Sequence, residues 1–277
     1  MKKSTSKRWQ TVIAIFLVIV GIVYFSPLYI LFINSFKSFG EILSTPASLP
    51  KSITFDNYIT VWKRIALAKS FKNSIIVTVI SLSGIVVFSS LAAYRITRHS
   101  SWFTKLCYAG FIAEMVLPFQ VVMIPLVVVL RFLHINNSLF GLIFANIGLG
   151  VSFATFAYSG FIKSIPREIE EAAIIDGCSE IRLFWQIIFP LLRNVTATII
   201  IIDVFWIWND FLLPQIVLSR RELRTVPLAI NSLMGEYVMQ WDLAIPALVM
   251  AILPATLLYI VLHKRIVAGL TEGAIKG

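Results

Sequence analysis

Charge is what this chain has least of. Of 277 residues only 14 are acidic and 24 basic, 14% charged in all, where a soluble domain of this size carries about a quarter. That excludes a soluble globule, whose surface needs more charge than this. Cysteine is nearly absent too. Cys107 and Cys178 stand far apart, with neither metal-ligand spacing nor the density of a disulfide framework. The three histidines, His99, His134 and His263, are isolated near the ends of apolar runs. There is no G-x-x-x-x-G-K-[ST] phosphate loop and no H-E-x-x-H zinc pair. No Ser/His/Asp or Cys/His set offers an activated nucleophile. The chain lacks the residues of an enzyme.

What it has instead is apolar length. The composition is 58% hydrophobic and the mean hydropathy is +0.86. About 20 apolar residues cross a bilayer as a helix, and six runs meet that: roughly Thr11–Ile33, Ser74–Ile96, Phe103–Leu130, Leu139–Ile162, Val195–Leu218 and Ala244–Leu262. Backbone polar groups must be satisfied inside lipid, so the expected fold is an all-α membrane protein with six transmembrane helices. The first run is too long for a signal-peptide core and lacks a small-residue cleavage pattern, so it reads as a retained span. The net charge of +10 does not imply nucleic acid, because the basic residues are scattered in short clusters between apolar runs. That pattern suits anchoring against membrane lipid.

Orientation follows from those clusters. With the N-terminus in the cytoplasm, Lys2, Lys3, Lys7 and Arg8 lie inside, followed by Arg95, Arg98 and Lys105. Lys163, Arg167, Arg182 and Arg193 join them, and then Lys264, Arg265 and Lys276: 14 of the 24 basic residues. Residues 1–10 and the tail 266–277 are then cytoplasmic and flank a membrane domain over 11–265. Outside lie two long loops, Asn34–Asn73 and Ser219–Trp241. In the first, Phe55, Tyr58 and Trp62 fall at the spacing of an interfacial amphipathic helix.

One inner connection, 164–190, is unusually polar and helix-coded. Pro166 suits a first helical position, and Glu168, Glu170 and Glu171 complement the helix dipole at the early turns. Gly177 offers a left-handed terminator. A second segment, Ser179 to Phe189, is expected to stop at Pro190. Within the spans, three acids stand out: Glu114, Asp203 and Asp210. A carboxylate there costs about 2.5–3.5 kcal/mol on insertion scales. On a continuous helix Asp203, Trp206, Ile207, Asp210 and Pro214 form one stripe, with Asn209 angled away. Such a stripe holds a sugar by stacking and hydroxyl hydrogen bonds, or else packs on neighbouring helices with its acids paired. Glu114 precedes Pro118 and Pro125, which should kink its span.

Glu171-Ala172-Ala173, three residues, Gly177, nine residues, then Ile187-Ile188-Phe189-Pro190 resembles the EAA motif of ABC importer permeases. Phe189 stands where Leu is usual and Cys178 where Ala is frequent. Met123–Leu126, the Trp208-Asn209-Asp210-Phe211 segment and the tail Gly269–Gly277 look like the MalG-type branch that serves carbohydrate uptake. The resemblance implies a type I, MetI-like bundle with a cytoplasmic coupling helix. It also implies a homologous second permease as a heterodimer partner, two ATP-binding subunits that hold ATP and Mg, and an extracytoplasmic solute-binding protein. This chain would carry no cofactor. Glu171, Ala172, Ala173, Asp176, Gly177 and Pro190 would serve ATPase docking, with Ile169, Ala172, Ala173 and Asp176 on one face. In the related maltose system the sugar site lies mainly in the other permease, so Trp206, Asn209, Asp210, Asp203 and Glu114 are candidates for a path rather than a full site. The competing reading is an ion-coupled secondary carrier that uses Glu114, Asp203 and Asp210.

Overall fold

The first apolar run folds as a single long helix, α1, Lys7–Asn34, which carries Pro27 inside it. The computed structural model describes residues 7–234 and 240–274. The chain then runs through α2 (Phe39–Ser44), α3 (Asp56–Arg64), α4 (Leu67–Arg98), α5 (Trp102–Val116) and α6 (Phe119–Phe132). Next come α7 (Leu139–Lys163), α8 (Arg167–Ile175) and α9 (Glu180–Arg182), a π-helical stretch Leu183–Ile188, and α10 (Phe189–Leu191). It closes with α11 (Arg193–Asn209), α12 (Leu212–Val217), α13 (Val226–Asn231) and α14 (Trp241–Ala274). No β-strand element occurs among the described residues. Residues 1–6, 235–239 and 275–277 lie outside the described residues, and with them parts of the expected inner termini and of the second outer loop.

Among the described residues three helices, Trp9–Asn34, Leu67–Arg98 and Leu139–Lys163, are long and apolar enough to cross a membrane, and up to five segments qualify if each of two bent pairs counts as one span. The expected count of six is therefore not reproduced. The run expected over 103–130 is two helices, α5 and α6, meeting at 117°. The cause is Pro118, preceded by Leu117 in an extended conformation (ψ 126°), as the residue before proline prefers. Pro125, by contrast, stays inside α6. The run expected over 195–218 is also divided: α11 ends at Asn209, and Asp210 is extended (φ −68°, ψ 127°) before α12 begins. Pro214 thus sits in the first turn of α12, where its missing N–H leaves no helical bond unmade. The expected Asp203–Pro214 stripe is cut at Asp210. The last expected span, 244–262, falls within α14, whose described apolar portion is Trp241–Leu257.

The chain forms two compact units. One comprises the chain up to Leu67 together with Ile230–Leu253. Here the loop after α1 is stapled by polar contacts: Asn34 Nδ2 donates to the carbonyls of Ile30 (2.7 Å) and Pro46 (2.8 Å), and buried Lys37 donates Nζ to the Thr45 carbonyl at 2.7 Å. The expected helix over Phe55–Trp62 exists as α3, with Asp56 in its first turn and Lys63 and Arg64 in its last. Tyr58 donates its hydroxyl to Ser35 Oγ (2.7 Å), and its ring and that of Phe55 each lie 5.5 Å from Phe36.

The other unit, Ala68–Ala229 with the chain from Pro254, contains the main core. The buried side of α4 mixes apolar residues such as Val77 and Ile85 with small polar ones, Ser70, Ser74, Thr78, Ser81 and Ser89. Residues of this kind let helices approach closely inside lipid. A Cβ on Gly84 would strike the Ile147 side chain and one on Gly150 the Ile85 side chain, so α4 and α7 are in near contact. Near its N-terminal end α4 is tied to the loop before α13: Asn73 Nδ2 donates to the carbonyls of Glu222 (2.9 Å) and Arg224 (3.1 Å), and Ser74 Oγ accepts from the Val226 N–H (2.9 Å). Tyr158 links α7 to α11 by donating its hydroxyl to Thr196 Oγ1 at 2.9 Å.

The start of α7 is tightly determined. Ser138 caps it by accepting from the Gly141 N–H at 3.0 Å. A Cβ on Gly141 would collide with the backbone carbonyl of Ile135, which has no side-chain freedom with which to yield. Gly141→Ala is expected to lower the thermal unfolding midpoint of the detergent-purified protein, at a cost of about 1–3 kcal/mol for an overpacked site. An unchanged midpoint would show that the turn relaxes freely.

Candidate functional site: an exposed connecting helix and a cavity between broken helices

Two places gather the residues singled out by sequence. The first is α8. Pro166 is its N-cap, extended at φ −57° and ψ 138°, rather than its first helical residue. Glu168 and Glu170 occupy the first turn, as expected. At the other end Gly177 adopts φ +77°. Its N–H donates to the Ile174 carbonyl (2.9 Å), while the Cys178 N–H reaches the Ala173 carbonyl (3.0 Å). These two bonds make a Schellman motif, which requires the left-handed residue. The chain then turns into α9.

The expected face of α8 is only partly open. Ala173 is buried at 8% exposure and belongs to the main core, whereas Ile169, Ala172 and Asp176 are exposed. Glu171 is exposed and lines a cavity of about 440 Å³ with Arg95, Arg167, Ile181 and Trp185. Around it Ile174, Ile175 and Ile181 are 57%, 85% and 75% exposed. Open apolar side chains thus stand beside charged ones on this side of α8.

Pro190 does not stop the second segment. It lies within α10, after the π-helical turn Leu183–Ile188. In that turn bonds run to the fifth residue back, as in Phe189 N–H to the Phe184 carbonyl. The shift of register leaves an orphan carbonyl where proline has no N–H to give. The actual break, 74°, falls between Leu191 and Arg193. Pro190 is exposed and lines a second cavity with Arg193 and Thr196.

The second place lies between the broken helices. Glu114, Trp206 and Asp210 line one cavity of about 260 Å³, together with Leu117 and Phe119 on either side of Pro118 and Leu212 just beyond Asp210. Both backbone interruptions of this region therefore open on the same space. Asp210 uses Oδ1 to accept from the N–H groups of Leu212 (3.0 Å) and Leu213 (3.4 Å), which caps α12. Trp206 and Leu149 also line an adjoining cavity of about 220 Å³, whose polar member is Asp203. Asp203 is 3% exposed and its Oδ2 has no hydrogen-bond partner among the described residues. The indole of Trp206 thus stands between carboxylates. Asn209 is not brought to either cavity: it is exposed and donates Nδ2 to the Phe205 carbonyl in its own helix (2.8 Å). No group of three or more His, Cys, Asp or Glu among the described residues is placed to hold a metal.

Sequence reasoning missed Arg98 and Tyr94 as partners of Glu170. Glu170 Oε1 accepts from Arg98 Nε at 2.6 Å and Oε2 from the Tyr94 hydroxyl at 2.9 Å. Residue spacing carried no signal for it, because Tyr94 and Arg98 lie over 70 residues from Glu170.

Residues 85–272 match the family described as "Binding-protein-dependent transport system inner membrane component". The chain is 40% identical over 94% of both chains to the probable starch degradation products transport system permease protein of Thermoanaerobacterium thermosulfurigenes. It is 36% identical over the full length of both chains to the melibiose/raffinose/stachyose import permease protein of Bacillus subtilis. It is 34% identical to the multiple sugar-binding transport system permease protein of Streptococcus mutans, over 97% of this chain and 96% of that one. In fold it resembles a chain in the crystal structure of a bacterial ABC transporter involved in the import of the acidic polysaccharide alginate, with TM-score 0.80 and 20% identity over 95% of this chain and 98% of that one. The protein belongs to the family of binding-protein-dependent permeases: it is a non-catalytic, multi-span membrane subunit of an ABC importer. That membership displaces the ion-coupled carrier as a reading of the three acids.

Proposed function

We propose that this permease carries a carbohydrate, an oligosaccharide or disaccharide, across a bacterial cell membrane by alternating access. The observation that carries the sugar is that three relatives, at 34–40% identity over nearly the whole chain, are each named for sugar or starch-product transport. The chain pairs with a homologous second permease, and two ATP-binding subunits holding ATP and Mg sit beneath the pair. A solute-binding protein docks on the outer loops Asn34–Asn73 and Ser219–Trp241. Both termini are cytoplasmic, and residues 11–265 form the membrane domain.

The exposed side of α8 and the turn after it, Ile169, Glu171, Ala172, Asp176 and Gly177, contact the ATPase. Ala173 supports that contact from within, and Pro190 follows it on the exposed side of α10. Glu114, Trp206 and Asp210, with Asp203 behind the indole, form this chain's wall of the sugar path. A saccharide presents an apolar ring face to Trp206 and hydroxyl donors to the carboxylates, and discontinuous helices are where membrane transporters place such sites. Radiolabelled uptake by a deletion strain and its complemented parent, over a panel of maltodextrins, galactosides, monosaccharides and polyols, tests the assignment. Loss confined to one class of oligosaccharide or disaccharide supports it; undiminished uptake of every sugar, with loss of a non-sugar solute, overturns it.

A further inference from the structure

Glu170 lines the same cavity as its exposed neighbour Glu171, but its side-chain hydrogen bonds run into α4 of the permease itself. It is 8% exposed, and the side chains of Arg98 and Glu170 are 8% and 11% exposed. Arg98 is the last residue of α4. Besides donating Nε to Glu170, it donates Nη2 to the Ile165 carbonyl at 3.0 Å, in the turn that joins α7 to α8. Tyr94, one turn earlier on α4, completes the carboxylate's partners and places its ring 5.3 Å from Phe184 of the π-helical stretch. Both partners of the carboxylate thus come from α4, and they in turn touch the α7–α8 turn and the π-helical stretch. The Arg220–Glu222 ion pair, at 3.8 Å, is of a different kind: it is about half exposed on both sides and joins neighbours in one loop.

A charge-assisted, hydrogen-bonded contact fixes distance and direction, whereas apolar surfaces permit sliding. Here it joins a nine-residue surface helix to the end of a 32-residue one. The far end of that long helix is bonded to the loop over Glu222–Val226 through Asn73 and Ser74. An α-helix transmits an axial push over its length because its backbone bonds are closed internally.

We propose that Arg98, Glu170 and Tyr94 form a coupling strut, which converts displacement of α8 by the ATPase into displacement of α4. They are positioning residues and need touch neither sugar nor nucleotide. The proposal rests on α8 as the ATPase contact.

The test uses the complete importer reconstituted in proteoliposomes and captured through its ATP-binding subunit, so that only assembled complexes are read. The quantity measured is sugar taken up per ATP hydrolysed. Glu170→Ala is expected to lower that ratio about fivefold, the small end of typical coupling energies. Tyr94→Phe, which deletes one hydroxyl and leaves the ion pair, is expected to lower it about twofold. A residue that merely held the fold together would reduce the amount of complex and leave the ratio alone. An unchanged ratio in Glu170→Ala overturns the strut; if that variant fails to assemble, an unchanged ratio in Tyr94→Phe does so. Ala172→Arg, on the exposed face, separates the two ideas. If it uncouples while Glu170→Ala and Tyr94→Phe do not, the strut alone fails. If Ala172→Arg leaves assembly and ratio intact, the docking assignment fails.

Discussion

Gly177→Pro is expected to remove nearly all uptake while the protein still inserts in the membrane. The position has φ +77° and donates its N–H to Ile174, and proline is locked near φ −65° with no N–H. Asp176, at φ −73° and ψ 6°, is also in a region that a following proline disfavours. The turn after α8 cannot form with these three conditions broken. At about 3 kcal/mol or more the functional geometry becomes rare by about 100-fold. Gly177→Ala is the informative companion. A Cβ there meets nothing within 4 Å, so only the left-handed strain of about 1–2 kcal/mol remains, and uptake should be reduced rather than lost. ATP hydrolysis by assembled complexes, measured beside uptake, reports whether the defect is uncoupling. Uptake by Gly177→Pro at the level of the parent would remove the turn from the mechanism. A charge introduced at Ala173 probes something different from one at Ala172, because Ala173 faces the core of the permease and a charge there disturbs its own packing.

Trp206→Ala is the second large effect, and it should appear in the maximal rate. Where a binding protein delivers the sugar, half-saturation follows that protein's affinity, so damage to the path lowers throughput at saturating substrate. Loss of an aromatic face worth about 0.5–1.5 kcal/mol corresponds to about a tenfold fall at its upper end. Asp210→Asn isolates the neighbouring charge. Asparagine caps a helix as well as aspartate does, so the bonds to the Leu212 and Leu213 N–H groups survive while the carboxylate is lost. Uptake kinetics of both variants measured in the same vesicles check the assignment. Parental maximal rates in both would show that the sugar passes elsewhere, along the partner permease.

Much of the site around α8 was legible in one dimension because it depends on local backbone chemistry. Gly177 in its left-handed turn, the acids of the first turn and the length of α8 all follow from capping rules that act within a few residues. The phase of α8 was half legible. Its alanines suggested close approach, but which of them stood open and which met the permease's own core depended on packing against distant parts of the chain. The Glu170 cluster was invisible for the same reason: Tyr94 and Arg98 lie over 70 residues from Glu170, and a scan for flank charges gives Arg98 no partner. In the membrane, Pro118 announced its break by removing a backbone donor. The break at Asp210 carried no such sign, because its proline, Pro214, sits harmlessly in the next helix's first turn. The aspartate instead ends one helix and caps the next. The π-helical turn before Pro190 is likewise a response of backbone register to proline and packing together, which residue spacing alone does not encode.

The central claim is that this chain is a passive permease driven through α8 by a separate ATPase. Sugar uptake into proteoliposomes containing the complete importer, with ATP-binding subunits either active or disabled for hydrolysis, tests it most directly. Ionophores that collapse proton and sodium gradients are added to both. The account predicts uptake that disappears with the disabled ATPase and is indifferent to ionophores. Uptake that persists with the disabled ATPase and vanishes when the gradients are dissipated would contradict it.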